Sequence, residues 1–128
     1  MIVSRMMPGD DLKRVLEDLL ALSGFKSGII VCMVGSLDGA VLRMSNGRNK
    51  NFKGLFEIVS GMGTISTGGI HVHISISDVQ GIVYGGHLLE GCKIYTTAEI
   101  VLVESCNYIF TREKDGSTPW KELQIKKL

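Results

Sequence analysis

The chain has 128 residues, of which 45% are hydrophobic and 21% are charged, and these values fit a single globular domain over residues 1–128. The composition excludes intrinsic disorder, and a net charge of +1 argues against a stand-alone nucleic-acid binder. No apolar run approaches the length of a membrane span, and the first residues lack the pattern of a secretory signal. We therefore expect a cytoplasmic protein with no membrane partner.

The cysteines Cys32, Cys92 and Cys106 are widely spaced, and none belongs to a CxxC pair. This spacing argues against a thiolate zinc site or a redox dithiol. Two of the three lie in apolar runs, so we predict that the cysteines are small buried side chains in a reducing compartment.

The first part of the chain predicts a short strand and one helix. Residues Ile2 to Met6 favour a strand, and Pro8-Gly9-Asp10-Asp11 then opens a helix with an aspartate as its N-cap. Apolar residues recur at helical spacing from Leu12 to Leu20, and Gly24 is placed to end the helix.

Most of the remaining chain predicts β-strands joined by short turns. We predict a hairpin at Asp38-Gly39, a helical turn at Thr118-Pro119-Trp120, and several further strands, namely residues 27–37, 40–45, 56–60, 70–77, 82–85, 93–105 and 108–112. The polar residues 46–51 favour a loop, and the glycine-rich residues 60–69 favour turns and bulges, since they lack the order of a phosphate-binding loop. The predicted fold class is α+β, with a strongly curved, mainly antiparallel sheet and one main α-helix packed on it.

All three histidines of the chain lie in one predicted hairpin. The alternation of a strand places His71 and His73 on one face, and an antiparallel return after residues 78–81 brings His87 beside them. Three neutral imidazoles suit one Zn²⁺ or another divalent transition metal per chain, with an open fourth position. The alternative is that His71 and His73 are ordinary residues of a half-exposed sheet face and that His87 caps a turn.

Two carboxylates within apolar strands are the weak candidates for a catalytic base. Glu57 follows Phe56, and Glu99 precedes Ile100. Either could act as general base or orient a metal-bound histidine, with Arg5 and Arg43 as candidate partners of such acids. The alternative is that both simply face outward from their strands.

An ordered series of motifs resembles the plant and prokaryote conserved (PPC) domain family. The series is Arg5-x-x-Pro8-Gly9-Asp10-Asp11-Leu12, Gly35-Ser36-Leu37, Ala40-Val41-Leu42-Arg43, Phe56-Glu57-Ile58, Gly63-Thr64-Ile65, His71-x-His73-x-Ser75-x-Ser77-Asp78 and Gly85-Gly86-His87-Leu88-x-x-Gly91-Cys92. The resemblance covers about Arg5 to Glu104. It implies a stand-alone domain of the prokaryotic type, an α+β fold, a homotrimer, and a metal at His71, His73 and His87.

The resemblance also bears on DNA binding and regulation. Plant members carry an AT-hook that binds the minor groove, but this chain has no Arg-Gly-Arg-Pro sequence, and its Gly54-Leu55-Phe56 segment lacks the arginine of those members. DNA is therefore a doubtful partner.

The leading hypothesis is a trimeric, metal-binding module with a regulatory or DNA-associated role. The alternative is a zinc-dependent enzyme or a sensor that binds a small ligand at an open three-histidine site.

Overall fold

A computed structural model describes residues 1–128 as one curved six-stranded sheet, one helix and one separate hairpin. The elements are β1 (Ile2–Met6), α1 (Leu12–Ser23), β2 (Ser27–Arg43), β3 (Asn49–Ser66), β4 (Gly69–Ser77), β5 (Val83–Leu88), β6 (Ile94–Glu104), β7 (Tyr108–Glu113) and β8 (Glu122–Lys127). All strand pairs are antiparallel, and the order in the large sheet is β1-β6-β2-β3-β4-β5. The predicted α+β class is confirmed.

The sheet curves until its β5 edge meets the end of β2. Leu42 pairs with Leu88 and Arg43 pairs with His87, so strands β2 to β5 form a nearly closed loop. This contact requires glycine in β5, because a Cβ at Gly86 would lie 2.9 Å from the carbonyl oxygen of Arg43. The close backbone approach predicted for Gly85 and Gly86 is confirmed at Gly86.

The helix begins and ends where the sequence predicts. Asp11 is the N-cap and accepts a hydrogen bond from the Arg14 backbone N–H, while Gly24 ends the helix with a φ of 71°. Leu12 and Leu16 are fully buried and join the core of the curved sheet. No helix in the structure is long and apolar enough to cross a bilayer.

Three predicted features along β2 and β3 are wrong. The chain does not reverse at Asp38-Gly39, because a β-bulge there absorbs the extra residue and Gly39 takes a φ of 84° within a continuous strand. The reversal occurs instead at a tight turn around Gly47, so β3 already begins at Asn49 within the predicted loop. The glycine-rich residues 60–66 extend β3 rather than forming turns, because β4 pairs with them along their whole length and β2 pairs with residues 64–66 on the other side.

The C-terminal prediction is also wrong. Residues 118–120 form no helical turn, and β7 pairs with a further strand, β8, that the sequence did not predict. The strand β8 escaped detection because three of its six residues, Glu122, Lys126 and Lys127, are charged and obscure the alternation.

The prediction that all the cysteines are buried holds only for Cys92. Cys32 and Cys106 are exposed, and all three thiols are free. The register of β2 against β6 shifts between Ile30 and Cys32, so this irregularity lets Cys32 face outward although it lies in an apolar run.

Candidate metal centre

The three histidines converge on the outer face of the β4–β5 pair. Val72 and Ile74 point into the core, so the alternating His71 and His73 face outward. His73 lies directly opposite His87 in the antiparallel register. The sequence prediction that β5 brings His87 back beside the first two histidines is confirmed in its geometry.

The spacing of the imidazoles fits the donor set of one metal ion. The Nε2 atoms of His71 and His73 are 3.2 Å apart, and one ring nitrogen from each histidine lies within 4.8 Å of the others. Two nitrogens that bind tetrahedral zinc at ~2.0–2.1 Å would be about 3.3 Å apart. In addition, the buried Nδ1 of His87 has no hydrogen-bond partner. The residues present therefore fit a zinc-class ion.

The surroundings keep two of the imidazoles neutral. Burial, and then the positive charge of Arg112, lower the pKa of His71 from 6.5. Burial, and then the charge of Arg43, lower the pKa of His87 to about 4. A metal ligand must be a neutral imidazole, so both rings are in the binding form at neutral pH.

Two of the cavities beside the histidines also border Arg43 and Trp120. One has a volume of about 210 Å³ and is lined by Arg43, Ile70, His71, His87, Arg112, Trp120, Lys121 and Glu122. The other has a volume of about 490 Å³ and includes His73, Gly85, Gly86 and the turn after β2. His87, Arg43 and Trp120 line both cavities, and a third cavity of about 290 Å³ is bordered by His71 and His73.

Basic and aromatic residues lie beside the histidines, where the sequence did not predict them. Arg43 lies opposite His87, and its guanidinium carbon is 4.5 Å from the ring centre of Trp120. Arg112 of β7 donates a hydrogen bond of 2.6 Å from Nη2 to Thr64 Oγ1, and Thr64 lies opposite His71. No local signal predicts these contacts, because the β7–β8 hairpin reaches the site only through the tertiary fold.

The structure does not bring Glu57 and Glu99 to the histidines. Glu57 lies opposite Ser77, about 13 Å along β4 from His73. Glu99 is on β6, three strands and roughly 14 Å away from β4. Both residues are exposed, and the carboxylate that lines the 210 Å³ cavity is Glu122.

Curated relatives match nearly the whole chain. The bifunctional protein GlmU from Synechococcus sp. strain JA-3-3Ab is 40% identical over 125 residues, which is 97% of this chain. GlmU from strain JA-2-3B'a(2-13) is 40% identical over 123 residues. The chain spans about a fifth of the length of these relatives.

Solved structures share the fold across the chain. A hypothetical protein from Salmonella has a TM-score of 0.93 and 29% identity, covering 98% of this chain and 92% of its own. A plant- and prokaryote-conserved (PPC) protein from Pyrococcus horikoshii has a TM-score of 0.79 and 26% identity, covering 96% and 92%. Both matches extend well past β6, so these proteins share the overall fold over nearly the full length.

Two more distant structures share the fold alone. A metal-containing protein from Archaeoglobus fulgidus has a TM-score of 0.76 and 23% identity, covering 96% of this chain and 91% of its own. A candidate DNA-binding protein from Bacteroides thetaiotaomicron has a TM-score of 0.84 and 21% identity, covering 95% and 89%.

The family model of the Plants and Prokaryotes Conserved (PCC) domain matches residues 1–105. The chain therefore belongs to the PCC domain family.

Proposed function

We propose that this PCC-domain protein is a metal-binding module in which His71, His73 and His87 hold one divalent transition-metal ion of the zinc class per chain. The observation that carries the proposal is the convergence of three imidazole nitrogens within 4.8 Å. The unpartnered, buried Nδ1 of His87 supports it, since a buried polar atom normally has a partner. A structural neighbour described as metal-containing gives further support.

Three protein ligands leave one coordination position for water or a ligand. A zinc ion in such a site acts as a Lewis acid and lowers the pKa of a bound water. The chain itself contributes the rigid placement of the ligands, since His71 and His73 project from a strand whose opposite face is buried. The cavities beside the histidines would give a ligand access to such a metal ion.

We also propose that the module assembles as a homotrimer. Nine large apolar residues stay exposed on the strands of the main sheet, namely Val3, Ile29, Val31, Val34, Leu55, Val59, Met62, Val83 and Tyr95. Exposed apolar surface on this scale is typical of contacts between proteins. Copies of the same chain are the partner that the PPC resemblance implies.

A regulatory role associated with DNA is the broader context that we propose for the trimer. It is supported by a structural neighbour described as a candidate DNA-binding protein. The net charge of +1 supplies little attraction to phosphate, so we expect any DNA contact of this chain to be weak and to depend steeply on salt.

The alternative function is a zinc-dependent enzyme or a small-molecule sensor. The 210 Å³ cavity favours this class, because it places a concave surface directly beside His71 and His87. Hydrolysis of generic ester and phosphate substrates that depends on the metal would support the enzyme. Ligand binding without turnover would support the sensor.

The metal proposal is tested by metal content and by competition for zinc. The full chain is purified without an affinity tag and subjected to elemental analysis, and zinc is then titrated against a chromogenic chelator. We expect one zinc per chain for the wild type and for Ser75→Ala, which changes the next outward position of β4. His73→Ala should lose most of the affinity. An equal zinc affinity in His73→Ala and Ser75→Ala would refute the proposal.

A further inference from the structure

The space beside the histidines carries positive charge that the protein does not neutralise. Arg43, Arg112 and Lys121 line the 210 Å³ cavity, whereas Glu122 is its only acidic residue. None of the three basic side chains forms an ion pair, since the ion pairs of the chain all lie elsewhere, namely Lys13–Glu17, Arg14–Glu90 and Lys93–Asp11. The cavity therefore offers cationic donors to a bound molecule.

Arg43 is held in place with its donors free. It pairs with His87 across β2 and β5, which puts the two Cβ atoms about 5 Å apart. Its guanidinium lies over the Trp120 ring at 4.5 Å. This contact places the cation over the ring, and no side-chain hydrogen bond or ion pair of the chain uses the N–H groups of Arg43, so they can donate to oxygen atoms.

Arg112 lines the same cavity next to His71. Its Nη2 donates to Thr64 Oγ1, and this contact fixes the side chain next to His71. Its Nε is buried and has no hydrogen-bond partner. A buried donor without an acceptor is costly, so a ligand oxygen would satisfy a group that the chain alone leaves unpaired.

Two guanidiniums beside a divalent cation would repel that cation unless an anion lay between them. We propose that the cavity binds a small-molecule oxyanion, a carboxylate or a phosphate group, with its oxygens shared between Arg43, Arg112 and the open metal position. This inference rests on the proposed metal site for its third contact. The two arginines supply the geometry that recognises planar or tetrahedral oxyanions.

The size of the cavity and its cover favour a small molecule. A volume of about 210 Å³ holds only a compact ligand. The β7–β8 hairpin and the segment between its strands cover one side and contribute Arg112, Trp120, Lys121 and Glu122. These residues lie beyond the family match, which ends at residue 105. The cavity is therefore built partly by this hairpin and partly by the matched region, which contributes Arg43, His71 and His87.

The test is a calorimetric titration of the full chain, loaded with zinc and freed of excess zinc, at fixed ionic strength. Inorganic phosphate and succinate are the two probes, and the tighter of them identifies the chemical source of the anion. Arg43→Met and Arg112→Met should each weaken binding by about tenfold or more. Arg5→Met removes the same charge from the distant β1 strand and should leave affinity within about twofold.

Zinc content and melting temperature of every variant show whether the fold and the metal are retained. If neither probe binds the wild type saturably, or if Arg43→Met and Arg112→Met bind as tightly as Arg5→Met, the anion proposal is wrong. If the chain holds no zinc, the metal proposal fails separately. The same titrations on the metal-free chain then decide the anion proposal, because binding that requires both arginines supports it and binding that requires neither refutes it.

Discussion

Zinc should stabilise the folded chain, and His73→Ala should remove most of that stabilisation. A ligand that binds only the folded state contributes RT ln(1 + [L]/Kd), which is about 2.7 kcal/mol at a hundredfold excess over Kd. For 128 residues the unfolding entropy is about 0.27 kcal/mol per kelvin. The melting temperature of the wild type should therefore rise by about 10 °C.

The size of the effect in the variant follows from the number of remaining ligands. If the affinity falls a hundredfold, the same zinc concentration contributes only about 0.4 kcal/mol, or roughly 1.5 °C. His73 is exposed, so its truncation leaves no cavity in the core and the metal-free variant should melt close to the wild type. Loss of the zinc effect in a variant that is otherwise stable would separate ligation from folding.

The assay is differential scanning calorimetry at constant protein concentration, with and without zinc, followed by a chelator that should reverse the shift. Ser75→Ala is the matched control, because it truncates the neighbouring outward position of the same strand. A melting curve that zinc leaves unchanged in the wild type would refute the reasoning. So would a shift in His73→Ala as large as that of the wild type.

Four further predictions concern pH, the helix cap, assembly and DNA. The pKa of His87 is lowered from 6.5 to about 4 in the folded chain, so the unfolded chain binds this proton at a higher pH. The unfolding free energy of the metal-free protein should therefore fall as pH falls from 6.5 to 4. Urea titrations should show a smaller dependence of this free energy on pH in His87→Asn, and an equal dependence would contradict the prediction. Asp11→Ala removes the side-chain acceptor of the Arg14 and Gly91 backbone N–H groups. The unfolding free energy should fall by about 2 kcal/mol at an unchanged urea m-value, and a fall below about 0.5 kcal/mol would contradict the role of this cap. In light scattering, Val31→Glu should convert the trimer to smaller species, whereas Val79→Glu, which changes an exposed turn residue, should not. A wild type that is monomeric at micromolar concentration would exclude the trimer. Gel mobility shifts with an A·T-rich duplex should show weak binding that added salt abolishes. A nanomolar, sequence-selective complex at physiological salt would contradict this prediction.

Local sequence patterns were sufficient for the helix and for the histidine face. Asp11 and Gly24 mark helix ends by short-range hydrogen bonding and by left-handed backbone, which depend only on neighbouring residues. The alternation from Ile70 to Ser77 likewise fixes which side chains share a face. The α+β class and the trio His71, His73 and His87 were therefore readable from the sequence.

Patterns that depend on strand pairing misled the prediction. Asp38-Gly39 has the local chemistry of a hairpin, but long-range pairing of β2 with β3 and β6 converts it into a bulge. Residues 60–66 have turn-like composition, but the ladder with β4, joined by β2 at residues 64–66, holds them extended. In both places the hydrogen bonds of distant strands outweigh local preference, and the sequence of one segment does not record them.

The sequence alone determined which residues can ligate a metal, because imidazole chemistry and the two-residue period of a strand are local properties. Only the tertiary structure decided what surrounds them. Arg43 meets His87 because the sheet curves until β5 reaches β2, and Arg112 meets His71 because a C-terminal hairpin folds back over β3 and β4. Both contacts join residues more than forty positions apart. The curvature of the sheet and the docking of the hairpin have no local signature in the sequence, yet they place two guanidiniums without ion pairs beside three imidazoles.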